Sequence, residues 1–262
     1  MKYRALLAYE GTAYQGFQRQ AEGIPTIQAT VEQAIQKATQ QQITLAAAGR
    51  TDAGVHATGQ IISFSVEWRH QSQTLLQAVN ASLPGDIALQ RLVEDPDEQF
   101  HPRFSAASRM YSYTVLQTIQ RQPLMRNRAW HVNQKLDLVK MQNAAGILIG
   151  EHDFATFGLP PHGSNTIRRI FQSEWEHREA ELLYRIEATA FLQHMVRRIV
   201  GMLVDVGRGW LTVSQFEDYF RRADLALSKT IAPPQGLILE AVRYPDTVNN
   251  LLLSTGNEPG NR

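Results

Sequence analysis

The segment at residues 48–60, AGRTDAGVHATGQ, combines chemically reactive side chains with a backbone that leaves them accessible. Its three glycines and three alanines contribute little to a hydrophobic core, and such a loop lets another backbone or a ligand approach closely. Asp52 stands between Arg50 and His56 on this loop. The pattern indicates either a functional carboxylate beside a ligand or a glycine-rich turn that Asp52 caps, since aspartate is a common turn residue.

Asp52 and His56 are four residues apart and also resemble a pair of metal ligands. No third ligand of suitable spacing accompanies them. The chain has no cysteine, which excludes disulfides, thiolate zinc sites, iron–sulfur clusters and a cysteine nucleophile. We therefore expect chemistry based on oxygen and nitrogen groups, with no bound metal.

A second unusual segment is the predicted helix at residues 192–207, which is apolar around most of its circumference and should be largely buried. Its polar positions fall within about 100° of arc. These positions are His194, Arg197, Arg198, Gly201, Asp205 and Arg208. A buried arginine needs an anionic partner because an unpaired buried charge costs several kcal/mol. For Arg197 that partner is either Asp205 on the same helix or Asp52 beside a ligand pocket.

Tyr111 and Tyr113 lie on one face of a predicted strand at residues 110–116. Such a pair is typical of half-buried sheet residues, but in a basic groove the same ring can stack on a nucleobase. The region 101–140 contains seven basic residues and a single acidic one, Asp137. This charge is typical either of a solvated basic face or of a surface that binds an anion such as nucleic acid.

Hydrophobic periodicity places these segments in two consecutive βαββαβ units. The first has predicted strands at 3–10, 42–47, 60–66 and 87–93 and helices at 27–38 and 74–81. The second has strands at 110–116, 166–175, 182–189 and 237–244 and helices at 137–149, 192–206 and 213–222. We therefore predict an α+β fold of two ferredoxin-like halves, which could be joined in a mostly antiparallel sheet with a central cleft between them.

The predicted halves are residues 1–98 and 99–244, followed by a polar tail at 245–262 that we expect to be frayed. The acidic, proline-interrupted run at 94–98 is the predicted linker. Neither an apolar stretch of about 18 residues nor a signal-peptide pattern is visible, so we expect a soluble, cytoplasmic protein with no membrane segment.

The chain resembles the tRNA pseudouridine synthase A family, which isomerises uridine in the anticodon arm. The similarity runs nearly end to end and rests on blocks in the family's order. These are YEGTAYQGFQRQ, GRTDAGVHATGQ, FHPRFSAASRMYSYTV, GEHDFATF, RRI, FLQHMVRRIVGMLVDVGRG and the closing GL. Phe17, Gln193 and Met110 depart from the residues that the family often has at those positions.

The resemblance implies a role for each matching residue. It implies that Asp52 is the catalytic nucleophile, that Arg197 is its ion-pair partner and that Tyr111 stacks on the substrate. It also implies that Arg50 enters the RNA helix in place of the flipped base and that Leu237 is an apolar floor for the uracil. It further implies a homodimer that binds tRNA across both subunits and needs no cofactor.

The basic region supplies further candidate contacts to RNA. We expect phosphate contacts from Arg103, Arg109, Arg121, Arg126 and Arg128, so that Arg109 is also a candidate substrate-binding residue.

The implied reaction converts uridine to pseudouridine at positions 38, 39 and 40 of tRNA. Asp52 could attack C1′, add to C6 of uracil or remove the C2′ proton, and the residues do not choose among these routes. Two other functions stay open at this point. One is a carboxylate-dependent N-glycosidase, although that chemistry generally needs a second acid. The other is a non-catalytic RNA-binding or chaperone module.

Overall fold

The computed structural model describes residues 1–245, so all of the predicted tail except Pro245 lies outside the described residues. The strands are β1 (Lys2–Tyr9), β2 (Ala46–Ala47), β3 (His56–Ser65), β4 (Ile87–Glu94), β5 (Ser108–Gln117), β6 (Trp130–Val132), β7 (Gly150–Asp153), β8 (Ile167–Arg178), β9 (Glu181–Ala188) and β10 (Leu237–Arg243). The helices are α1 (Ile27–Thr39), α2 (Ser72–Asn80), α3 (Leu138–Gly146), α4 (Met195–Gly207) and α5 (Val213–Arg221).

The ten strands belong to one mixed, mostly antiparallel sheet. Its main order is β4-β1-β3-β10-β5-β9-β8-β7, with β2 paired to β3 and β6 paired to β5. Within each half, the four main strands follow the arrangement of a split βαβ unit, β4-β1-β3-β2 in the first and β10-β5-β9-β8 in the second. The predicted α+β fold class is therefore confirmed. The boundary between residues 98 and 99 stays a prediction.

The last strand, β10, joins the two halves. Its first residues pair in parallel with the start of β3, where Ile238 lies opposite His56 and Leu239 opposite Ala57. Its other edge pairs antiparallel with β5, which puts Leu239 opposite Tyr111. The glycine-rich loop, residues 48–55, ends where β3 begins. The pairing of β10 with β3 and β5 therefore brings that loop close to Tyr111 and Leu237.

Several element boundaries differ from the sequence prediction for local reasons. Strand β3 begins at His56 instead of residue 60, because its first four residues, His-Ala-Thr-Gly, show no apolar alternation. Helix α4 begins at Met195 instead of residue 192, because His194 adopts the left-handed conformation with φ 60°. The short strands β6 and β7 were not predicted, since three or four residues show too little periodicity.

The predicted linker at 94–98 is anchored to β1, which the sequence did not indicate. Arg4 Nη2 lies 2.9 Å from Asp95 Oδ1, and both side chains are essentially inaccessible to solvent. The Arg4 guanidinium also stacks 3.4 Å above the centre of the Phe100 ring. Lys2 Nζ donates to the Phe100 carbonyl at 2.7 Å. The chain between β4 and β5 is therefore held against the sheet.

The hydrophobic core is continuous across both halves and includes Tyr3, Ile35, Tyr113, Phe157 and Leu203.

Within residues 1–245, none of the helices combines the length and the apolar character needed to cross a membrane.

The close approach of β3 and β10 predicts that Gly59→Ala destabilises the fold. A Cβ atom at Gly59 would lie 1.9 Å from the carbonyl oxygen of Glu240, so the two strands would have to separate. We expect the free energy of unfolding to fall by about 1–3 kcal/mol in urea denaturation. Gly85→Ala is the control, because a Cβ there meets nothing within 4 Å. Equal midpoints for the two variants would contradict the prediction.

Candidate active site

A cavity of about 690 Å³ lies at the junction of the two halves. Three segments form most of its wall: the glycine-rich loop, residues 48–55; the rim loop, residues 101–105; and the segment at 190–197 that enters α4. Tyr111 of β5 and Leu237 of β10 also line the cavity. The cavity therefore needs both halves of the chain.

Asp52 faces this cavity and contacts two basic side chains from the start of α4. Arg197 Nη1 donates to Asp52 Oδ2 at 3.0 Å. His194 Nε2 lies 3.7 Å from the other carboxylate oxygen, Oδ1. The Asp52 side chain keeps 27% of its surface exposed and that of Arg197 keeps 16%, so the pair is partly shielded but open to a ligand.

Hydrogen bonds from buried elements hold the glycine-rich loop in place. The Phe17 N–H donates to the Thr51 carbonyl at 3.0 Å, and the hydroxyls of Tyr9 and Thr51 share a hydrogen bond of 2.8 Å. Gln60 Nε2 donates to the Gly49 carbonyl at 2.8 Å. Asp52 therefore extends from a loop that is fixed on both sides.

Arg197 also connects the site to the segment that leads into β10. Its Nε donates to the Ala232 carbonyl at 2.8 Å, and the Ala232 N–H donates back to the Arg197 carbonyl at 3.0 Å. Asp205, the other predicted partner of Arg197, instead accepts a hydrogen bond of 2.6 Å from Thr230 Oγ1 and lies 3.6 Å from Arg208. Of the two candidate partners, Asp52 is the one in contact.

Tyr111 is buried in the cavity wall, where it packs edge to face on Phe191 with 5.1 Å between ring centres. Burial, with smaller effects of Tyr9 and of the Asp52 charge, raises the pKa of Tyr111 well above its usual value. The phenol is therefore neutral at physiological pH. A neutral ring beside Asp52 suits stacking on an uncharged base.

Leu237 is also buried in the wall, whereas Arg50 is exposed at the cavity. Arg50 makes neither a hydrogen bond nor an ion pair with other residues of the 1–245 range. The structure thus brings Asp52, Arg197, Tyr111, Arg50 and Leu237 to one cavity. Their roles in substrate binding and catalysis stay predictions.

Arg109 lines the cavity but is mostly buried, and its role as a phosphate contact stays a prediction. It is 9% exposed, and its guanidinium donates to four backbone carbonyls. The acceptors are Ala48 at 3.1 Å, Thr189 at 2.9 Å, Arg103 at 2.5 Å and, more weakly, Ala106 at 3.4 Å. Burial lowers the pKa of Arg109. Arg109 therefore holds the glycine-rich loop, the rim loop and the end of β9 together.

The remaining arginines of the basic region are more accessible. Arg121, Arg126 and Arg128 are exposed on the connection between β5 and β6, and Arg103 is half-buried in the rim loop. These four side chains keep their predicted role as phosphate contacts, because they lie where an anion can reach them.

His56 does not form a metal pair with Asp52. Its Nδ1 accepts a hydrogen bond of 3.0 Å from the Gly11 N–H, and its Nε2 lies 2.7 Å from the Asn127 carbonyl oxygen. The imidazole therefore bridges backbone segments beneath the loop. Within the described residues, 1–245, we find no group of three or more His, Asp or Glu side chains arranged to hold a metal ion.

His194 is the site residue that the sequence analysis missed. It was visible as one member of the polar stripe, but only its left-handed backbone, φ 60° and ψ 6°, turns its imidazole toward Asp52. A residue with a Cβ adopts this conformation at a cost, so surrounding contacts must maintain it. Local sequence carries no signal for that conformation.

A search against family profiles matches residues 5–105 and 144–245 to the family described as tRNA pseudouridine synthase. The chain belongs to this family. Proteins named tRNA pseudouridine synthase A are among its relatives. The protein of Chloroflexus aurantiacus is 43% identical over 247 residues, covering 92% of this chain and 87% of the relative. That of Pseudothermotoga lettingae is 38% identical, covering 93% and 99%. That of Neisseria meningitidis serogroup B is 35% identical, covering 94% and 92%.

A solved structure described as an H/ACA RNP bound to a substrate RNA containing 2'-deoxyuridine aligns with 78% of this chain and 44% of that chain. The identity is 11% and the TM-score 0.39, which is too low to add to the family assignment.

The hydrogen bonds of Arg109 predict that Arg109→Met lowers stability in this tRNA pseudouridine synthase family member. The variant removes the donor from one buried and three partly buried carbonyls, and we expect the free energy of unfolding to fall by about 2–4 kcal/mol. Urea denaturation measures it, with the exposed Arg121→Met as a control that should change stability by less than about 0.5 kcal/mol. A stable Arg109→Met variant that only binds RNA more weakly would contradict this structural role and favour a phosphate contact alone.

Proposed function

We propose that this chain converts uridine to pseudouridine at positions 38, 39 and 40 in the anticodon stem-loop of tRNA. The observation that carries the proposal is the contact between Asp52 and Arg197 in the cavity wall, where Arg197 Nη1 lies 3.0 Å from Asp52 Oδ2. The family assignment supports the same reaction, and the similar proteins of other organisms are named for it.

The reaction needs little catalytic machinery beyond one carboxylate. The N1–C1′ bond of uridine breaks, the uracil turns, and C5 bonds to C1′ while the C5 proton leaves and N1 gains a proton. There is no net oxidation and no hydrolysis. Asp52 can serve by attacking C1′, by adding to C6 or by removing the C2′ proton, and each route uses the carboxylate that Arg197 contacts.

The cavity suits a base that has left its helix. A uridine in a stem must be extruded before Asp52 can reach it, at a cost of a few kcal/mol. Tyr111 offers a neutral ring and Leu237 an apolar floor, and both are buried in the wall. Arg50 is exposed beside the cavity, where it can contact the RNA that the uridine leaves.

Wider features of the proposal follow the resemblance. We propose a cytoplasmic homodimer that binds the tRNA anticodon arm across both subunits and uses no cofactor. We also propose that residues 1–98 and 99–244 are its two structural halves. The exposed arginines between β5 and β6 support RNA binding, because neutralising phosphates releases counterions.

The proposed role of Asp52 predicts that Asp52→Asn abolishes turnover while leaving the fold and tRNA binding nearly intact. The substitution conserves shape but removes the reactive charge. The measurement is release of tritium from tRNA labelled at C5 of uridine, together with tRNA affinity by filter binding. A glycosidase would leave abasic sites and a non-catalytic binder would release no tritium. Multiple turnover by pure Asp52→Asn would contradict the proposed role.

Loss of the ion pair predicts a slower reaction. In Arg197→Met the Asp52 carboxylate loses the guanidinium that holds it at 3.0 Å, so we expect a single-turnover rate roughly 10- to 100-fold lower. Arg198→Met is the matched control, since Arg198 donates to the Ser228 carbonyl instead.

The same experiment compares Arg197 with Arg50. Arg50→Ala should be milder, and an RNA with an already unpaired target uridine should partly restore its rate. A wild-type rate for Arg197→Met would show that the ion pair does not serve catalysis.

A further inference from the structure

Phe104 is a large apolar side chain that is 77% exposed and also lines the catalytic cavity. Isolated exposed apolar residues are ordinary on protein surfaces. Ile119, Leu124 and Phe171 are examples on this chain, and none of them lines the cavity. Phe104 differs because it combines exposure with a position at the mouth of the cavity that holds Asp52.

The rim loop presents Phe104 in a fixed position. The Ser105 N–H donates to the His101 carbonyl at 2.9 Å, and the His101 N–H donates to Ser105 Oγ at 3.1 Å, which closes residues 101–105 into one turn. Tyr244 Oη donates to the Pro102 carbonyl at 2.9 Å. Arg109 Nη2 donates to the Arg103 carbonyl at 2.5 Å. The loop is therefore ordered by buried groups and not by packing of the Phe104 ring.

The ring itself is supported on one side. The His101 imidazole lies against it, with 4.5 Å between ring centres and 38° between planes. Most of the remaining ring surface is open to solvent. An aromatic ring that is supported from below and open above is the geometry of a stacking platform for a nucleobase.

The charges around Phe104 favour RNA over an apolar partner. The Arg103 guanidinium carbon lies 5.6 Å from the ring centre, and the exposed Arg50 lines the same cavity. A protein partner would need a larger contiguous apolar patch than a single phenyl. Arginines beside an exposed ring instead match the alternation of phosphate and base in RNA.

We propose that Phe104 stacks on the base next to the target uridine and so holds the RNA open while that uridine occupies the cavity. Tyr111 is buried in the wall and faces the extruded base, whereas Phe104 stands at the mouth, where the neighbouring nucleotide remains. The stacking replaces part of the base stacking that extrusion removes. This inference rests on the proposed function, because it assumes an RNA substrate whose target base is extruded.

The first test is a binding cycle in the Asp52→Asn background, which prevents turnover. The probe is an anticodon stem-loop RNA with either its normal base or an abasic nucleotide, placed on the 5′ or the 3′ side of the target uridine. We expect Phe104→Ala to weaken binding of the intact RNA about 10- to 100-fold. When the abasic nucleotide replaces the base on which Phe104 stacks, Phe104→Ala should have no effect on binding. When it replaces the base on the other side of the target, Phe104→Ala should weaken binding as it does for the intact RNA.

Three further variants test whether an aromatic ring at the cavity is what binds the RNA, and single turnover on paired and unpaired targets gives a second readout. Phe104→Tyr and Phe104→Trp should bind like the parent, because they keep an aromatic face. Phe171→Ala is the matched control: Phe171 is also exposed and has Arg169 5.8 Å from its ring centre, but it lies outside the cavity. In the active enzyme, Phe104→Ala should slow single turnover of a paired target about 10- to 100-fold and of an unpaired target at most about 3-fold.

The proposal is overturned if Phe104→Ala weakens intact and abasic RNAs equally, or if Phe104→Ala and Phe171→Ala have the same effect. These outcomes are separate from failure of the proposed function. If the wild-type chain makes pseudouridine and Phe104→Ala matches it on paired targets, the function stands and the stacking proposal falls. If the wild type makes none, the binding cycle still reports whether the ring stacks on a base.

Discussion

The insertion of β10 between β3 and β5 is the constraint on which the rest of the structure depends. This strand comes last in the described chain, yet it occupies the centre of the sheet. Its parallel pairing with β3 requires a residue without a Cβ at position 59, and it sets the glycine-rich loop beside Tyr111 and Leu237. The segment before β10 also reaches Arg197 through Ala232. Sheet pairing and the Asp52 ion pair are therefore parts of one arrangement.

Two arginines on the elements around the site, Arg109 and Arg198, donate hydrogen bonds to backbone carbonyls in place of water. Burial lowers the pKa of each. Carbonyls stabilise a buried guanidinium without a second charge, although less strongly than a carboxylate does. Arg4 shows the other solution, a fully buried ion pair with Asp95. At the cavity, by contrast, Asp52 is partly exposed, so its charge is available to a substrate.

Periodicity predicted the elements whose burial pattern is regular and failed where burial comes from unusual neighbours. The helix beginning at Ile27 was predicted because its apolar residues recur at helical spacing. The acidic run at 94–98 is the predicted linker because its proline and acidic residues break the periodicity. Asp95 is buried instead, since Arg4 lies on the adjacent strand of the folded sheet. A sequence window around residue 95 contains no information about a partner 91 residues away.

The sequence by itself determined which chemistry was possible: one carboxylate on a glycine-rich loop, arginines on a buried helix and tyrosines on a strand in a basic region. Helical spacing showed that Arg197, Arg198 and Asp205 share one face, because each residue advances the helix by a known angle. Only the tertiary structure decided that Arg197 meets Asp52 across 145 residues and that Arg109 meets carbonyls. The physical reason is that local patterns specify the direction of a side chain, whereas strand pairing and helix packing specify what lies opposite it.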